Sequence, residues 1–167
     1  MKLNKIIIIG PSLSGKTYFS KKLSSVINIP THDLDDIIWK EKFTKRNSYV
    51  NVKKEFTKIH SKRKWIIEGI YGSWIEPAVK KADLIILMYP NKYKFILRFF
   101  KRLIKRKDFT FKNIKESLRL LKLSLTYNKR NTVSSYKKHL QLIRRNKKQF
   151  IILKTNKDKI NFLKNLR

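Results

Sequence analysis

Residues 5–17 read KIIIIGPSLSGKT and join an apolar run to a turn that contains two glycines. The isoleucines at 6–9 form an apolar run typical of a parallel strand that is covered by helices on both faces. The octet from Gly10 to Thr17 follows directly and matches the pattern G-x-x-x-x-G-K-[ST]. A buried strand, a glycine-containing turn and the start of a helix, in this order, predict a loop that holds phosphate groups.

The residue types of this loop suit that task. Gly10 and Gly15 allow the backbone to turn tightly, so that its N–H groups point inward at an anion, and the following helix directs its positive end there. We expect Lys16 to contact the β- and γ-phosphates as a catalytic residue, and the Thr17 hydroxyl to bind Mg²⁺. The residues predicted to bind the nucleotide here are Gly10, Pro11, Ser12, Leu13, Ser14, Gly15, Lys16, Thr17 and Tyr18.

Short apolar segments alternate with longer helical segments along the rest of the chain. Further strands are predicted near Ile29 and at Trp65–Glu68, Leu84–Met88 and Phe150–Leu153. Helices are predicted at 16–26, around 37–39, and at 47–62, 93–105, 113–125, 134–145 and 157–166. This alternation predicts the α/β class: one domain spanning 1–167, with a five-stranded parallel sheet between helices on both faces, a three-layer P-loop NTPase fold.

Composition restricts the class of protein further. The chain has 167 residues, of which 41% are hydrophobic, and no cysteine, so it can bury a core but can form neither disulfides nor thiolate metal sites. Its apolar runs are far shorter than the roughly 20 residues that cross a bilayer. We therefore expect a cytoplasmic protein without a transmembrane segment.

The net charge of +31 is unusual, and most of it lies in the second half. Residues 92–148 contain 20 basic and two acidic residues, whereas residues 1–91 contain 17 and eight. Such a charge attracts polyanions, so nucleic acid, anionic membranes and phosphorylated metabolites are all favoured partners. The charge is equally consistent with solvated faces of amphipathic helices, or with lysine enrichment from A+T-rich codons.

Several segments together resemble a known family. IPTHDLDDIIW (29–39), WIIEGIYG (65–72), ADLIILMYP (82–90), RFFKR (98–102) and FIILKTNKDKINFL (150–163) are similar to DNA topology modulation (FlaR-type) proteins, themselves similar to adenylate kinase and shikimate kinase. The resemblance implies an adenylate kinase type of fold, ATP and Mg²⁺ as cofactors, and phosphoryl transfer. The chain departs from the family pattern in having Asp33-Leu34-Asp35 for His-Leu-Asp, and Ile70 where the family tends to have Asn.

The resemblance also implies an acceptor site after the second and third strands. Asp33 and Asp35 would bind the acceptor, and Asp35 would orient the attacking hydroxyl as a catalytic residue. Glu68 would hold the water shell of Mg²⁺ and, with Gly69, face the acceptor. Two alternatives remain open: Asp33 as a helix N-cap, and Glu68 as an ordinary buried carboxylate. The aromatic residues Trp39, Trp65, Tyr71 and Trp74 fit either the acceptor pocket or the core.

Arginines after the fourth strand complete the predicted site. The resemblance implies that Arg98 lies near the adenine and that Arg102 is a catalytic residue that reaches phosphate, although both could be surface charges. Arg106 begins a basic lid predicted near 105–112. The segment TNKD, 155–158, approaches the base-reading motif of GTPases, but no D-x-x-G follows the third strand.

The function predicted from the sequence is an ATP- and Mg²⁺-dependent kinase-like P-loop protein. It would be a phosphotransferase acting on a small hydroxyl compound or a nucleotide. The alternative is a nucleic-acid-binding protein with a regulatory or vestigial nucleotide site, whose basic second half binds DNA or RNA without sequence preference.

Overall fold

The chain alternates strands and helices from end to end. The computed structural model describes residues 3–41, 45–69, 72–89, 91–106 and 111–166. Its strands are β1 (Lys5–Ile9), β2 (Thr31–Asp33), β3 (Trp39–Glu41), β4 (Lys45–Arg46), β5 (Trp65–Gly69), β6 (Leu84–Met88) and β7 (Phe150–Leu153). Its α-helices are α1 (Lys16–Ile27), α2 (Leu34–Ile38), α3 (Tyr49–Ser61), α4 (Glu76–Lys81), α5 (Lys92–Arg106), α6 (Phe111–Leu125), α7 (Tyr136–Arg145) and α8 (Asn156–Lys164), with a 3₁₀ turn at Ser73–Ile75.

Five of the strands form one parallel sheet, in the order β2-β5-β1-β6-β7. The isoleucine strand β1 lies at the centre, and its last residue, Ile9, pairs with Gly69 of β5 and Leu87 of β6. On the other side of β5, Asp33 of β2 pairs with Glu68. The predicted five-stranded parallel sheet is confirmed, and it brings the carboxyl ends of β1, β2 and β5 to one edge, where ligands bind in folds of this kind.

The sheet separates two apolar cores, because alternate residues of a strand point to opposite faces. Ile6 and Ile8 pack with residues of α1 and α8, whereas Ile7 and Ile9 pack with residues of α3, α4 and α7. This confirms the three-layer architecture. On α1, Phe19 and Leu23 are buried, but Tyr18 is 67% exposed, so its side chain does not belong to the core.

A small hairpin follows α2, which the sequence did not predict. β3 and β4 pair antiparallel, and Trp39 begins β3 instead of ending the helix, so the helical prediction at Trp39 is wrong. The guanidinium of Arg46 lies 5.0 Å from the centre of the Trp39 ring, within cation–π range. Lysines interrupt the apolar pattern of this segment, so neither helical nor strand periodicity is clear from the sequence.

The TNKD segment forms the beginning of α8. Thr155 is the N-cap, and its hydroxyl accepts the Asp158 backbone N–H while the Asp158 carboxylate accepts the Thr155 N–H, which makes a capping box. Hydrogen bonds from Thr155 lower the pKa of Asp158 to about 2. The resemblance to a GTPase motif therefore has a structural explanation in helix capping.

The two basic helices α5 and α6 pack against each other, as an adjacent pair in the second half of the chain. Residues 107–110, in the middle of the predicted lid, lie outside the described residues. Among the helices described, none has both the length and the apolar composition to span a membrane.

Candidate active site

The loop after β1 turns through left-handed backbone conformations. Gly15 has φ = 79° and Leu13 has φ = 60°, a region that favours glycine. A Cβ atom at Gly10 would overlap the carbonyl oxygen of Met88, so only glycine fits there. The hydroxyl oxygen of Ser14 is buried and has no hydrogen-bond partner among the described residues. An orphaned hydroxyl inside a tight glycine turn fits a loop built around a ligand.

Lys16 lies at the start of α1, in the middle of the predicted catalytic groups. Its Nζ donates to the carbonyl of Pro11 at 3.1 Å, so the side chain folds back over the loop. Burial lowers the pKa of Lys16, while the nearby Glu68, Asp35 and Asp33 carboxylates act to raise it. One amine and three carboxyl groups that the sequence singled out therefore lie in a single electrostatic cluster.

Glu68 is the most strongly perturbed carboxylate of this cluster. Its side chain lies on β5 and is 2% exposed, and burial raises its pKa to about 7, although Lys16 acts in the opposite direction. A hydrogen bond from Thr17 also acts to lower the pKa, and Oε1 has no partner among the described residues. Glu68 therefore exchanges a proton near neutral pH and has an unpartnered oxygen beside Thr17.

The side chains of Thr17 and Glu68 are chemically suited to a magnesium ion that is also coordinated by the phosphate groups of a nucleotide. Within the described ranges, no cluster of three or more acidic or histidine side chains could hold a metal by itself. Mg²⁺ in nucleotide sites keeps several waters and uses one or two protein groups together with substrate phosphates. A hydroxyl and one unpartnered carboxylate oxygen are consistent with that mode of binding.

The two aspartates of the second strand region take different positions. Asp33 ends β2, and its Oδ1 accepts the backbone N–H of Asp35 at 2.9 Å, so it is the N-cap of α2. Burial raises the pKa of Asp33, with Asp35 and Asp36 acting in the same direction. Asp35 lies in the first turn of α2, half-buried and close enough to affect the pKa of Lys16. The N-cap interpretation of Asp33 is thus correct, and Asp35 lies at the same edge of the sheet.

Arg98 reaches the phosphate loop from α5. Its Nη1 donates to the carbonyl of Leu13 at 2.9 Å, and its guanidinium would lie 3.4 Å from a Cβ at Gly15. A cavity of about 310 Å³ opens here between α1, α5 and α8, and it is lined by Gly15, Tyr18, Phe19, Lys22, Arg98, Asn156, Lys159, Ile160 and Leu163. Arg98 and Tyr18, both assigned to the nucleotide from the sequence, therefore line one cavity beside the loop.

Sequence reasoning missed the contribution of α8 to this cavity. Burial, together with Arg98 and Lys94, lowers the pKa of Lys159 to about 8. An anionic ligand would relieve the repulsion among these cations, so the cavity and the adjoining loop together suit a phosphorylated molecule such as a nucleotide. The signal in the sequence was the position of Asn156, just after the carboxyl end of the last strand.

A second missed contact joins α6 to the loop. The Ser124 hydroxyl lies 2.8 Å from the carbonyl of Ser12 and 2.7 Å from that of Leu120 in its own helix. Beyond α6, the hydroxyl of Tyr127 and Nδ1 of His139 are hydrogen-bonded at 2.5 Å inside the protein. Isolated serines, tyrosines and histidines give no pattern in the sequence, so these contacts could not be foreseen.

The remaining candidates divide into the core, a separate cavity and undescribed parts. Trp65 is fully buried at the amino end of β5, away from the site, so it belongs to the core. Trp74 helps to line a cavity of about 520 Å³ whose lining includes neither Asp35 nor Glu68. Tyr71 and the side chain of Arg102 lie outside the described residues.

Comparison with known proteins identifies the fold. No family model matches the chain, so the resemblance to DNA topology modulation proteins is not confirmed, and no curated protein matches. Among solved structures, shikimate kinase from Acinetobacter baumannii in complex with shikimate is similar at 17% identity, with 99% of this chain and 91% of that chain covered and a TM-score of 0.55. Shikimate kinase from Bacteroides thetaiotaomicron is similar at 13% identity, with 99% of this chain and 97% of that chain covered and a TM-score of 0.57.

A third similar structure is the YorR protein of Bacillus subtilis, solved in complex with phosphorylated GDP. It is similar at 15% identity, with 96% of this chain and 92% of that chain covered and a TM-score of 0.54. These likenesses extend over nearly the whole chain. The protein has the fold of the shikimate kinase and adenylate kinase type of P-loop protein.

Proposed function

We propose that this protein is a kinase, organised as a single domain, that transfers the γ-phosphate of ATP to a small hydroxyl compound or a nucleotide. The observation that carries the proposal is the cluster of Lys16, Glu68, Asp33 and Asp35 at the carboxyl ends of three adjacent strands. A phosphate loop provides the donor site, and carboxylates opposite it provide a site for a hydroxyl group. A protein that only bound nucleotide would not need the carboxylates opposite the phosphate loop.

The residues take separate tasks in this reaction. The loop N–H groups and Lys16 would hold the β- and γ-phosphates, while Arg98 and Lys159 would lie beside the nucleoside part in the 310 Å³ cavity. Asp35 would accept a hydrogen bond from the attacking hydroxyl and orient it toward the γ-phosphate. Mg²⁺ bound by Thr17 and Glu68 would neutralise charge on the phosphates. An ATP-dependent reaction fits a cytoplasmic location.

A radiolabel transfer assay tests this proposal. The purified protein is incubated with Mg²⁺, γ-labelled ATP and separate classes of acceptor: nucleosides, nucleoside mono- and diphosphates, sugars, and hydroxylated carboxylic acids. We expect transfer to at least one class, and none by a Lys16→Ala variant. Tight ATP binding without transfer to any class would instead favour a regulatory or vestigial nucleotide site.

Nucleic-acid binding, the alternative considered from the sequence, is supported only by the net charge of +31. The names of the similar solved structures concern small-molecule kinases and a nucleotide complex. They give nucleic-acid binding no support. The basic second half also exposes large apolar side chains on α5, which a phosphate backbone would not contact.

A further inference from the structure

Helix α5 is apolar on two opposite faces. On its inner face, Phe95 and Phe99 are buried and Arg98 contacts the phosphate loop. On its outer face lie four large apolar side chains, each more than half exposed: Tyr93, Leu97, Phe100 and Ile104. Their spacing of four, three and four residues puts them on one side of the helix. We call these four residues the outer stripe of α5.

Lysines border the outer stripe of α5 on one side. Helix α5 has seven lysines and arginines and no acidic residue in its 15 positions. At 100° per residue, Lys94 and Lys101 lie along one border of the stripe, and Lys101 is exposed. The adjacent α6 adds four basic residues against one glutamate. The outer face of α5 therefore combines a continuous apolar row with lysines along one border, and α5 and α6 together contain a single acidic residue.

This combination restricts what can cover the face. A second copy of the chain is disfavoured, because each copy carries a net charge of +31 and the two basic faces would repel. Nucleic acid would satisfy the lysines, but its phosphate backbone offers no apolar surface to Leu97 or Ile104. The surface of an anionic bilayer satisfies both, because lipid phosphates attract lysines while the apolar row enters the boundary of the acyl chains.

We propose that the outer stripe of α5 docks the protein on the surface of an anionic phospholipid bilayer. The helix lies in the plane of the interface, with Tyr93 and Phe100 at the level of the headgroups, where aromatic side chains are favoured. Since Arg98 reaches Leu13 from the inner side of α5, the phosphate loop faces away from the bilayer. The docked protein thus keeps its nucleotide site accessible. The proposal does not depend on the proposed kinase activity.

The absence of cysteine allows a direct measurement of insertion. A Leu97→Cys variant is labelled with an environment-sensitive fluorophore and mixed with phosphatidylcholine vesicles that contain phosphatidylglycerol. We expect a blue shift and a gain of fluorescence with these vesicles and a much smaller response with phosphatidylcholine alone. The control is Val50→Cys, since Val50 is similarly exposed but lies on α3. Equal responses at both positions, or none at Leu97, would overturn the proposal.

A second variant separates the apolar row from the charge. Leu97→Gln with Phe100→Gln removes apolar surface at exposed positions, so thermal unfolding should be unchanged. Flotation with the anionic vesicles should weaken by roughly tenfold or more, because both side chains lose their burial in the interface. Val50→Gln, at an exposed apolar position of α3, is the matched control and should float as the wild type does.

The same two proteins distinguish the other occupants. If a labelled oligonucleotide binds the wild type and the Leu97→Gln, Phe100→Gln variant equally, and neither protein floats with vesicles, the ligand of this face is nucleic acid and not a bilayer. If sedimentation shows that the wild type is a dimer and the variant a monomer, the face binds a second copy of the chain and not a bilayer. Binding to anionic vesicles that depends on the stripe and weakens with salt supports the proposal.

Discussion

Glu68 connects the site to the pH dependence of folding. Its pKa is about 7 in the folded protein, against an ordinary value of 4.5. Between these pH values the folded chain keeps a proton that the unfolded chain has released, so this group makes the free energy of unfolding fall as pH rises from 4.5 to 7. Above pH 7 the loss is complete.

We therefore expect Glu68→Gln to stabilise the protein at pH 8 and to have little effect at pH 4.5. The difference between the two pKa values corresponds to about 3 kcal/mol and already includes the interaction with Lys16, so the expected gain at pH 8 is about 2–3 kcal/mol. Urea unfolding at the two pH values measures it. An equal effect at both would show that Glu68 is not protonated in the folded state.

Asp35 is the residue on which the acceptor assignment depends. Asp35→Asn keeps the size of the side chain and removes its charge, so transfer should fall by about 10²-fold or more while ATP affinity stays nearly constant. Asp36→Asn, one position later in the same helix and on its exposed side, is the control and should transfer at the wild-type rate. Transfer at the wild-type rate by Asp35→Asn, or joint loss of ATP and acceptor binding, would show that the acceptor site is misplaced.

At the scale of elements, helix α2 depends on its N-cap. Asp33→Ala removes the acceptor of the Asp35 N–H and should cost about 1 kcal/mol of stability, whereas Asn is as good a cap as Asp. Asp33→Asn should therefore retain stability. Comparing the two variants by thermal unfolding and by transfer separates the two roles considered for Asp33. If Asp33→Asn transfers phosphate normally, the role of Asp33 is capping alone. If Asp33→Asn is stable but loses transfer, Asp33 also binds the acceptor.

Element prediction from the sequence succeeded where the chain has continuous apolar runs. The apolar strands β1, β5, β6 and β7 are continuous runs, and the fully buried ones confirm the prediction of strands covered on both faces. The β3–β4 hairpin was missed because Trp39–Glu41 and Lys45–Arg46 are too short for a period to be visible. The capping box of α8 resembled a weak nucleotide motif, because Thr and Asp at that spacing serve both purposes.

For the whole molecule, the site was predictable as far as the sheet determines it. Parallel strands bring their carboxyl ends together, so the positions of Lys16, Asp33 and Glu68 follow from the strand order. The sequence predicted a parallel sheet but not the order of its strands, which the structure shows. The cavity formed with α8 and the contact of Ser124 with Ser12 depend on the packing of distant helices, which leaves no local pattern in the sequence.

Isothermal titration of ATP with Mg²⁺ measures whether the loop after β1 binds nucleotide. The wild type should bind, and Lys16→Ala should bind at least about tenfold more weakly, since a charge-assisted hydrogen bond to phosphate contributes about 1.5–3 kcal/mol. Lys21→Ala, at an exposed position of the same helix, is the matched control and should bind as the wild type does. Circular dichroism should show the same fold in all three proteins. Unchanged ATP affinity in a folded Lys16→Ala variant would show that the loop does not bind the nucleotide phosphates.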